Sequence, residues 1–507
     1  MQIEIRATDR LRGAKALDLG SVLTSLAHAA REGSIDLSRL RVVCDWVQYR
    51  SNFREPVEVR RILPRALEAA RSPRNGPAGN GRSAEPEAWE IAIDLRRAEP
   101  AQLALQLAHA MGAATSSESS STCRLYLEDW GPSSSSCLWA FNALYWNALG
   151  LWEQTTGREY EQALPGGESD ARNTAAARDL ILELFHVWDQ LAARRALPED
   201  LYVLELGVGN GNQARVWLDE FLRLDRERHG GEYYRRLHYL MGDYSSHVLE
   251  RARANVRQHA ERVSTLVLDA RAPSATLGFL RYKAFLIYIS NVYDNLPTDE
   301  IARLGGHLYR VEVRAYLPMP AARQIAAGLG AEPADLPDLV NRLLQLGPEL
   351  LADAAPERFP GGTMTAVGFW RQVWEALRLE ERYVPIEELD TYEVAPGIRG
   401  ELLRPIVEAN GDVRMHVSNG AASSFADSLP LLHPFGLLQC HDLFVTDVEQ
   451  YRTSFRGPGK YDGSVVNWVN GPLLAVIGRR YGFDVHFQPF AHRAGSNITT
   501  LTARVRE

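Results

Sequence analysis

The sequence is poor in lysine. Its 507 residues include 56 Lys and Arg together, yet lysine occurs only as Lys15, Lys283 and Lys460, so few side chains could serve as a catalytic amine. The formal net charge is −8, and no broad basic field indicates a nucleic-acid partner. The first residues, MQIEIRATDR, lack an apolar signal core, and no apolar run reaches the length of a membrane span. We therefore expect a cytoplasmic protein that binds neither nucleic acid nor membranes.

Cysteine is also scarce. The four cysteines, Cys44, Cys123, Cys137 and Cys440, are far apart and form no C-x-x-C pair, which favours neither a zinc site nor a disulfide scaffold. The histidines show no H-x-x-x-H spacing and no clustering with acids, so we predict no metal site. A content of 45% hydrophobic and 24% charged residues is typical of a globular chain with a sizeable core.

The most informative stretch is LYVLELGVGNG, residues 201–211. Its apolar run predicts a strand that is buried on both faces and contains one acid, Glu205. Gly207, Gly209 and Gly211 follow, and the apolar periodicity of the next segment predicts a helix. Glycines permit a tight turn and a close approach of a ligand, and the helix N-terminus adds unpaired N–H groups. The pattern predicts the first unit of a nucleotide-binding α/β sheet.

Acids stand at the ends of the next two predicted strands. Asp243, followed by Tyr244, ends the second strand, where a carboxylate can accept both hydroxyls of a ribose. The alternative role for Asp243 is the N-cap of the helix that follows. Asp269 and Ala270 end the third strand, where an acid would meet the exocyclic amine of an adenine; the alternative is a loop acid without a ligand.

Two further strands supply candidates for the chemistry. The buried run 285–290 leads into Asn291 and Asp294, and the carboxyl ends of strands are where an open α/β sheet places its substrate. These two residues are therefore candidates for substrate contact. His441 lies inside the apolar stretch 436–445 and could act as a general base at a strand end. The alternative is a structural histidine held by hydrogen bonds.

The N-terminal unit contains no motif that points to chemistry. We predict strands at 2–7, 40–48 and 89–95 and helices at 22–31, 57–70 and 101–111. Docking, formation of a homodimer and substrate recognition are all open as its role. Ser-rich linkers follow, with aromatic residues that either pack in the core or form a lid over a ligand.

The expected domains follow from these segments. They are a small N-terminal α/β domain (1–112), a linker and aromatic lid (113–170), the first half of the core (171–304), an inserted cap (305–430) and the second half of the core (431–507). Segments 483–490 and 497–505 alternate around a turn and predict a closing antiparallel hairpin.

The glycine spacing G-x-G-x-G, with an acid two residues before the first glycine, resembles motif I of the class I S-adenosylmethionine (SAM) methyltransferases. Dinucleotide enzymes use G-x-G-x-x-G instead. A dinucleotide site and a turn that binds nothing are the alternatives. The terminal hairpin is likewise typical of class I methyltransferases.

A closer resemblance is to the MidA-like family, over residues 170–507. That family has an ELGPGRG-like motif and an N-E-x-x-D-A-L-P stretch, where this chain has ELGVGNG and SNVYDNLP. The family's G-x-L-x-x-x-D strand, R-G loop and D-x-(S/T) helix start are similar to Gly436–Asp442, Arg456-Gly457 and Asp462-Gly463-Ser464. Asn291 stands where the family has Glu, so the charge-assisted bond to a guanidinium that a carboxylate would supply is missing.

The resemblance implies a fold, a cofactor and an activity. The fold is a Rossmann-like seven-stranded sheet with a terminal antiparallel hairpin, a helical cap insert and a small N-terminal α/β domain. The cofactor is SAM, and the reaction is in-line methyl transfer to a protein or peptide side chain or to a medium-sized natural product, with Asp294 the favoured base. The implied cofactor-binding residues are Glu205, Gly207, Gly209, Gly211, Asp243, Tyr244, Asp269 and Ala270, and the implied catalytic residues are Asp294, Asn291 and His441.

Two other functions fit the same residues. The first is a SAM-binding assembly or interaction protein that does not catalyse methyl transfer. The second is an aminopropyl transferase on the same fold, which needs an acidic polyamine pocket; Asp294 and Asp299 would meet that need only in part.

Overall fold

Two β-sheets, of seven and ten strands, organise the described part of the chain. The computed structural model describes residues 2–6, 20, 24, 26–28, 37–45, 47, 49, 51–65, 88–99, 101–115, 123–158, 174–354, 357–359, 361–408, 411–453, 457–493 and 495–506. No helix within these ranges is both long enough and apolar enough to cross a membrane.

The strands are numbered along the chain. The ten-stranded sheet contains β1 (Gln2–Arg6), β2 (Leu40–Asp45), β3 (Val57–Ile62), β4 (Ala88–Asp94), β5 (Arg124–Tyr126), β6 (Gly131–Pro132), β11 (Glu300–Leu304), β12 (His307–Pro318), β13 (Arg378–Pro385) and β16 (Val413–His416). The seven-stranded sheet contains β7 (Leu201–Leu206), β8 (Leu237–Asp243), β9 (Val263–Val267), β10 (Ala284–Ser290), β17 (Leu432–Asp442), β22 (Phe483–Pro489) and β23 (Thr499–Val505). Three two-stranded ribbons complete the set: β14 (Glu393–Ala395) with β15 (Ile398–Arg399), β18 (Phe444–Val445) with β21 (Val469–Asn470), and β19 (Gly459–Tyr461) with β20 (Ser464–Val466).

The α-helices are numbered in the same way. Those before the insert are α1 (Leu103–Thr115), α2 (Cys137–Asn147), α3 (Leu149–Thr156), α4 (Thr174–Ala193), α5 (Asn212–His229), α6 (Glu232–Arg236), α7 (Ser246–Asn255) and α8 (Pro273–Leu277). Those after it begins are α9 (Met319–Leu329), α10 (Leu336–Leu346), α11 (Pro348–Ala354), α12 (Thr363–Ala376), α13 (Arg404–Val407), α14 (Asn419–Ser428), α15 (Gln450–Thr453) and α16 (Gly471–Arg480).

The seven-stranded sheet has the order β22-β23-β17-β10-β7-β8-β9. Strands β7, β8, β9, β10 and β17 are parallel, and β23 runs antiparallel to both β17 and β22. The predicted closing hairpin is therefore present. The strand order reverses between β7 and β10, and such a switch point leaves a crevice at the carboxyl ends of the strands.

Helices cover both faces of this sheet, which explains the nearly continuous apolar runs of its central strands. On one face, α4 and α5 pack through Trp188, Phe185 and Phe221 against β7 and β8. On the other face, α14 and α16 pack through Phe425 and Ile477. The buried sheet is thus fixed in position, and only the carboxyl ends of its strands remain open to a ligand.

The ten-stranded sheet joins the N-terminal segment to the insert. Its order is β1-β2-β4-β3-β13-β12-β11-β16, with β5 and β6 both paired to β12. The two segments meet where β3 runs parallel to β13 and Tyr383 lies opposite Ile62. The separate domains expected at 1–112 and 305–430 therefore share one sheet, and the insert already begins at Glu300, in β11.

The helix predicted at 57–70 is wrong in its described part, because Val57–Ile62 is strand β3. Val57 is buried, and Arg60, on the same face of the sheet as Glu58, is paired inside the molecule. The alternation that suits a strand there outweighs the local helical pattern. Residues 66–70 of that prediction lie outside the described ranges, as does most of the predicted helix 22–31.

Candidate functional site

The glycine corner follows β7 and turns the chain into α5. Gly207, Gly209 and Gly211 have φ angles of +71°, +54° and +78°, which favour glycine. A Cβ on Gly207 would lie 2.3 Å from Cγ2 of Val292, and one on Gly211 would lie 2.8 Å from Cα of Ala252. Close packing against these two residues therefore requires glycine at the first and third positions of the corner.

Asp243 ends β8 beside this corner. Its Oδ2 accepts a hydrogen bond from the N–H of Gly209 at 3.4 Å, and its Oδ1 accepts one from Ser245 at 3.1 Å. Burial raises the pKa of Asp243 to about 6. The N-cap of α7 is Ser245, whose side chain accepts from the N–H of Val248, so the carboxylate of Asp243 is not used as that cap.

Glu205 lies inside β7, one residue before the strand ends. It is 3% exposed, and its Oε2 accepts a hydrogen bond of 2.5 Å from the hydroxyl of Tyr239. Burial raises the pKa of Glu205 to about 8, so this acid is protonated near neutral pH. It therefore adds a polar wall to the corner without adding a charge.

Asp269 and Tyr244 complete the same side of the site. The guanidinium of Arg271 donates to both carboxylate oxygens of Asp269, at 3.1, 3.0 and 2.7 Å. Burial acts to raise the pKa of Asp269, but the hydrogen bonds from Arg271 outweigh it and the pKa is lowered. The hydroxyl of Tyr244 donates to the carbonyl of Ala143 at 2.9 Å, which ties the end of β8 to helix α2.

These elements surround a cavity of about 1020 Å³. Nine of the residues expected from the sequence line it: Glu205, Gly207, Gly209, Asp243, Tyr244, Asp269, Ala270, Asn291 and Asp294. Gly211 and His441 do not. Drug-sized ligands occupy sites of roughly 300–1000 Å³, so the cavity has room for a nucleotide-like ligand together with part of a second molecule.

The loop after β10 forms the wall next to the corner. Asn291 has a φ of +52°, faces the cavity, and donates its backbone N–H to the carbonyl of His441 at 2.9 Å. Asp294 also lines the cavity, but only 5% of its surface is exposed. Its neighbour Asp442, at the end of β17, is fully buried and accepts the backbone N–H of Tyr293 at 2.8 Å. The sequence indicated Asp294 and missed Asp442.

The role of His441 as a base is not supported by its position. Adjacent residues of a strand face opposite sides of the sheet. His441 is next to Asp442 in β17, and its side chain does not line the cavity. Its Nδ1 lies 2.9 Å from Oγ1 of Thr500 and its Nε2 lies 3.0 Å from Nε2 of Gln439. The structure favours the alternative, a histidine held by hydrogen bonds between β17 and β23.

Helix α2 forms a further wall of the cavity and is bonded to both the loop after β10 and strand β20. Asn142 donates to the carbonyl of Asn295 at 2.8 Å and accepts the backbone N–H of Val465 at 2.8 Å. Trp146 donates to Oδ1 of Asn295 at 3.2 Å.

The Ser-rich stretch before this helix is not a linker, because Ser136 is the N-cap of α2. Of the aromatic residues, Trp139, Tyr145 and Trp146 line the cavity, and Phe141 packs in the core.

The ribbon of β19 and β20 supplies another wall, where the sequence predicts a loop and the start of a helix. Asp462 sits at its turn with a φ of +51°. Its Oδ2 accepts from the hydroxyl of Tyr145 at 3.1 Å and from Nε1 of Trp152 at 3.0 Å. Lys460 donates to three carbonyls at the end of α12, including that of Leu377 at 2.8 Å. These hydrogen bonds hold the ribbon against helices α2, α3 and α12.

Two other expectations concern this region. Asp299, a candidate for a polyamine pocket, does not line the cavity; it accepts from the backbone of Ser134 at 2.8 Å and from the hydroxyl of Tyr392 at 2.6 Å. An aminopropyl transferase site is therefore not assembled as expected. Within the described ranges, no group of three or more His, Cys, Asp or Glu side chains could hold a metal ion.

Comparison with known proteins gives structural similarity but no sequence match. No protein-family model matches the chain, and no curated protein matches it. The fold is similar to that of a COG1565 superfamily member from Burkholderia thailandensis bound to S-adenosyl-homocysteine, at 14% identity over 74% of this chain and 88% of that chain, with a TM-score of 0.44.

Two further solved structures show weaker similarity. A native structure of a COG1565 superfamily protein from the same organism is 14% identical over 74% of this chain and 94% of that chain, with a TM-score of 0.40. The CurJ carbon methyltransferase is 11% identical over 84% of this chain and 76% of that chain, with a TM-score of 0.29. We therefore argue function from the geometry of this chain.

Proposed function

We propose that this protein binds SAM and transfers its methyl group to an acceptor. The observation that supports this most strongly is the backbone hydrogen bond from Gly209 to the carboxylate of Asp243, inside a cavity that two left-handed glycines, Gly207 and Gly209, line. A glycine corner of this kind lets a ligand come close to the protein backbone. An adjacent carboxylate is the usual partner of a ribose diol. The Gly209 bond leaves the Asp243 oxygens able to accept further hydrogen bonds.

The remaining residues divide the cavity into two parts. Asp269 and Ala270 stand at the end of β9, beyond Asp243, and would contact the base of the cofactor. Asn291 and Asp294 stand on the other side of the corner, at the end of β10, and would contact the acceptor. When bound, SAM would supply a methyl group that is already activated by the sulfonium, so the protein needs chiefly to align the acceptor with it.

The acceptor we propose is a protein or peptide side chain or a medium-sized natural product. The lid helix α2 and the ribbon of β19 and β20 border the acceptor side, where Trp146 and Asp462 meet the cavity. Asn291 is neutral, so it would offer hydrogen bonds rather than a charge to the acceptor.

Two measurements on the intact chain test this proposal. Isothermal titration calorimetry with S-adenosylhomocysteine (SAH) should show one binding event, and Asp243→Ala should weaken it by at least about tenfold because the ribose hydroxyls lose their acceptor. Incubation with radiolabelled SAM and a peptide library should then release SAH and label an acceptor. Binding without turnover on any acceptor would favour the SAM-binding assembly protein, and absence of binding would contradict both functions.

A further inference from the structure

Two buried carboxyl groups meet behind the acceptor side of the cavity. Asp294 is 5% exposed and Asp442 is fully buried. The oxygens of Asp442 accept backbone N–H groups from Tyr293 at 2.8 Å, from Asp294 at 3.3 Å and from Leu443 at 2.7 Å. Because the backbone N–H of Asp294 is one of these donors, the two buried carboxyl groups are neighbours. Two neighbouring buried carboxyl groups do not both carry a negative charge, so one of them holds a proton.

The pair therefore holds one proton and one negative charge. The backbone donors gather on Asp442, which favours the charge there, whereas burial and then the neighbouring charge of Asp442 raise the pKa of Asp294. The side-chain amide of Asn295 donates to Oδ1 of Asp294 at 2.8 Å. The proton thus lies on the residue that faces the cavity, and the charge lies on the residue behind it.

Within the described ranges, neither Asp294 nor Asp442 forms an ion pair with Arg or Lys. The titratable neighbours are Cys440 and Tyr293, and burial raises the pKa of both, so both are neutral. A buried charge without a counter-ion is costly, and the open direction for a counter-ion is the cavity.

The pair stands next to the glycine corner. Strand β10 is paired with β7, with Ile289 opposite Leu206. The loop that follows β10 brings Val292 against Gly207, two residues before Asp294. A cation held at the corner would therefore lie about one strand spacing, roughly 5 Å, from the end of β10 that leads to Asp294, and about two strand spacings from the end of β17 that carries Asp442.

We infer that Asp294 and Asp442 work as one shared-proton pair, which is the counter-ion of the sulfonium of SAM and the acceptor of the proton that the methyl acceptor loses. This inference rests on the proposed function. The bond from sulfur to the methyl carbon breaks, its electron pair stays on sulfur, and a bond forms from the methyl carbon to the acceptor atom. The acceptor proton passes to Asp294, which gives its own proton to Asp442. The charge of the site is unchanged, because the cation and the anion disappear together.

The pair should therefore distinguish SAM from SAH. With SAM bound, the sulfonium stabilises the charged pair. With SAH bound, the cation is missing and water is excluded, so the pair should take up a proton near neutral pH. Asp294 would be a catalytic residue, whereas Asp442 would act through it as a positioning residue.

Calorimetry with SAM and SAH in buffers of different ionisation enthalpy tests this inference. For the wild-type chain near pH 7, SAH binding should take up about half to one proton more than SAM binding does. The ratio of SAM affinity to SAH affinity should rise roughly tenfold between about pH 5 and about pH 8, as the pair becomes charged. Equal proton uptake for both ligands would overturn the inference, and this comparison needs no variant.

Variants assign the effect to the pair. In Asp294→Asn/Asp442→Asn the difference in proton uptake should vanish while SAH still binds. Asp390→Asn, an exposed acid paired with Arg404, is the matched control and should keep the difference. A difference that survives in the double variant but disappears in Glu205→Gln would assign the proton to Glu205 and overturn the inference. If SAH binds without any difference, only this inference fails; if neither ligand binds, the proposed function fails.

Discussion

At the residue scale, the site depends on glycines at positions where a side chain would not fit. The three glycines after β7 have left-handed backbones, and two of them pack against Val292 and Ala252. Their spacing is local in sequence, so the corner and the acid at the end of β8 could be predicted. The role of Asp442 could not be predicted, because its partner Asp294 is far away in sequence. Side chains alternate along β17, and only the structure shows that Asp442, rather than His441, is on the side of Asp294.

Gly209→Arg should abolish cofactor binding without unfolding the protein. The new side chain would enter the cavity that Gly209 lines, and a left-handed non-glycine residue costs only about 1–2 kcal/mol. We expect SAH affinity to fall by more than about a hundredfold, as measured by calorimetry. Gly330→Arg is the matched control, since it has a φ of +63° and nothing near its Cβ and lies at the end of α9. Unchanged affinity in Gly209→Arg would contradict the location of the cofactor.

The pKa of Asp243 should make nucleoside binding depend on pH. Burial raises this pKa to about 6, and the ionised carboxylate is the form that accepts two ribose hydroxyls. Affinity is therefore fully present above about pH 6 and should fall by up to about tenfold per unit as the pH drops below it. Adenosine is the suitable probe because it has no sulfonium. Asp243→Asn should bind adenosine weakly and without this pH dependence; a parallel pH profile in the variant would exclude Asp243 as its source.

At the scale of elements, helix α2 links the two halves of the site. Asn142 bonds to the loop after β10 and to strand β20, and Ser136 caps the helix. From the sequence we expect the aromatic residues of this segment to pack in the core or to lie over a ligand, and we expect the serines before it to form a linker. Composition alone cannot show that Ser136 is a cap, because the helix it begins has no regular apolar stripe; its aromatic residues contact both the core and the cavity.

Asn142→Ala should loosen this link. The backbone N–H of Val465 would lose its buried acceptor, which should lower the free energy of unfolding by about 1–3 kcal/mol. The lid should also open more readily, so SAH should dissociate several times faster in a stopped-flow measurement. Asn341→Ala, on the exposed face of α10, is the control and should change neither quantity appreciably. A normal dissociation rate in Asn142→Ala would show that α2 does not retain the ligand.

At the scale of the whole molecule, buried ion pairs join segments that are distant in sequence. Arg60 of β3 bonds to Glu90 at 2.9 Å and to Glu381 at 2.7 Å, and Glu381 also pairs with Arg414 at 2.9 Å. Each of these side chains is less than a tenth exposed. The seven-stranded sheet could be predicted because its strands alternate with helices. The ten-stranded sheet could not, since β3 and β13, which join its two halves, lie about 300 residues apart and no local sequence pattern indicates that they pair.

Arg60→Met should destabilise the entire chain rather than its N-terminal part alone. Removing Arg60 takes one cation out of a buried network in which, among the described residues, Glu90 keeps only Arg41 and Glu381 keeps only Arg414. Breaking a buried ion pair by removing one partner typically costs about 3–5 kcal/mol. Chemical denaturation followed by tryptophan fluorescence should show one transition at a lower denaturant concentration. Arg323→Ala, on the exposed face of α9, should leave the midpoint unchanged. An early transition confined to the N-terminal segment would instead support the independent domain expected from the sequence.

The central claim is that the corner at 207–211 seats an adenosyl group. A crystal structure of the intact chain with SAH tests it most directly. We predict that the ribose hydroxyls lie within hydrogen-bond distance of the carboxylate of Asp243, with the adenine toward Asp269 and the sulfur toward Asp294. SAH bound elsewhere, or a ribose without contact to Asp243, would contradict the account.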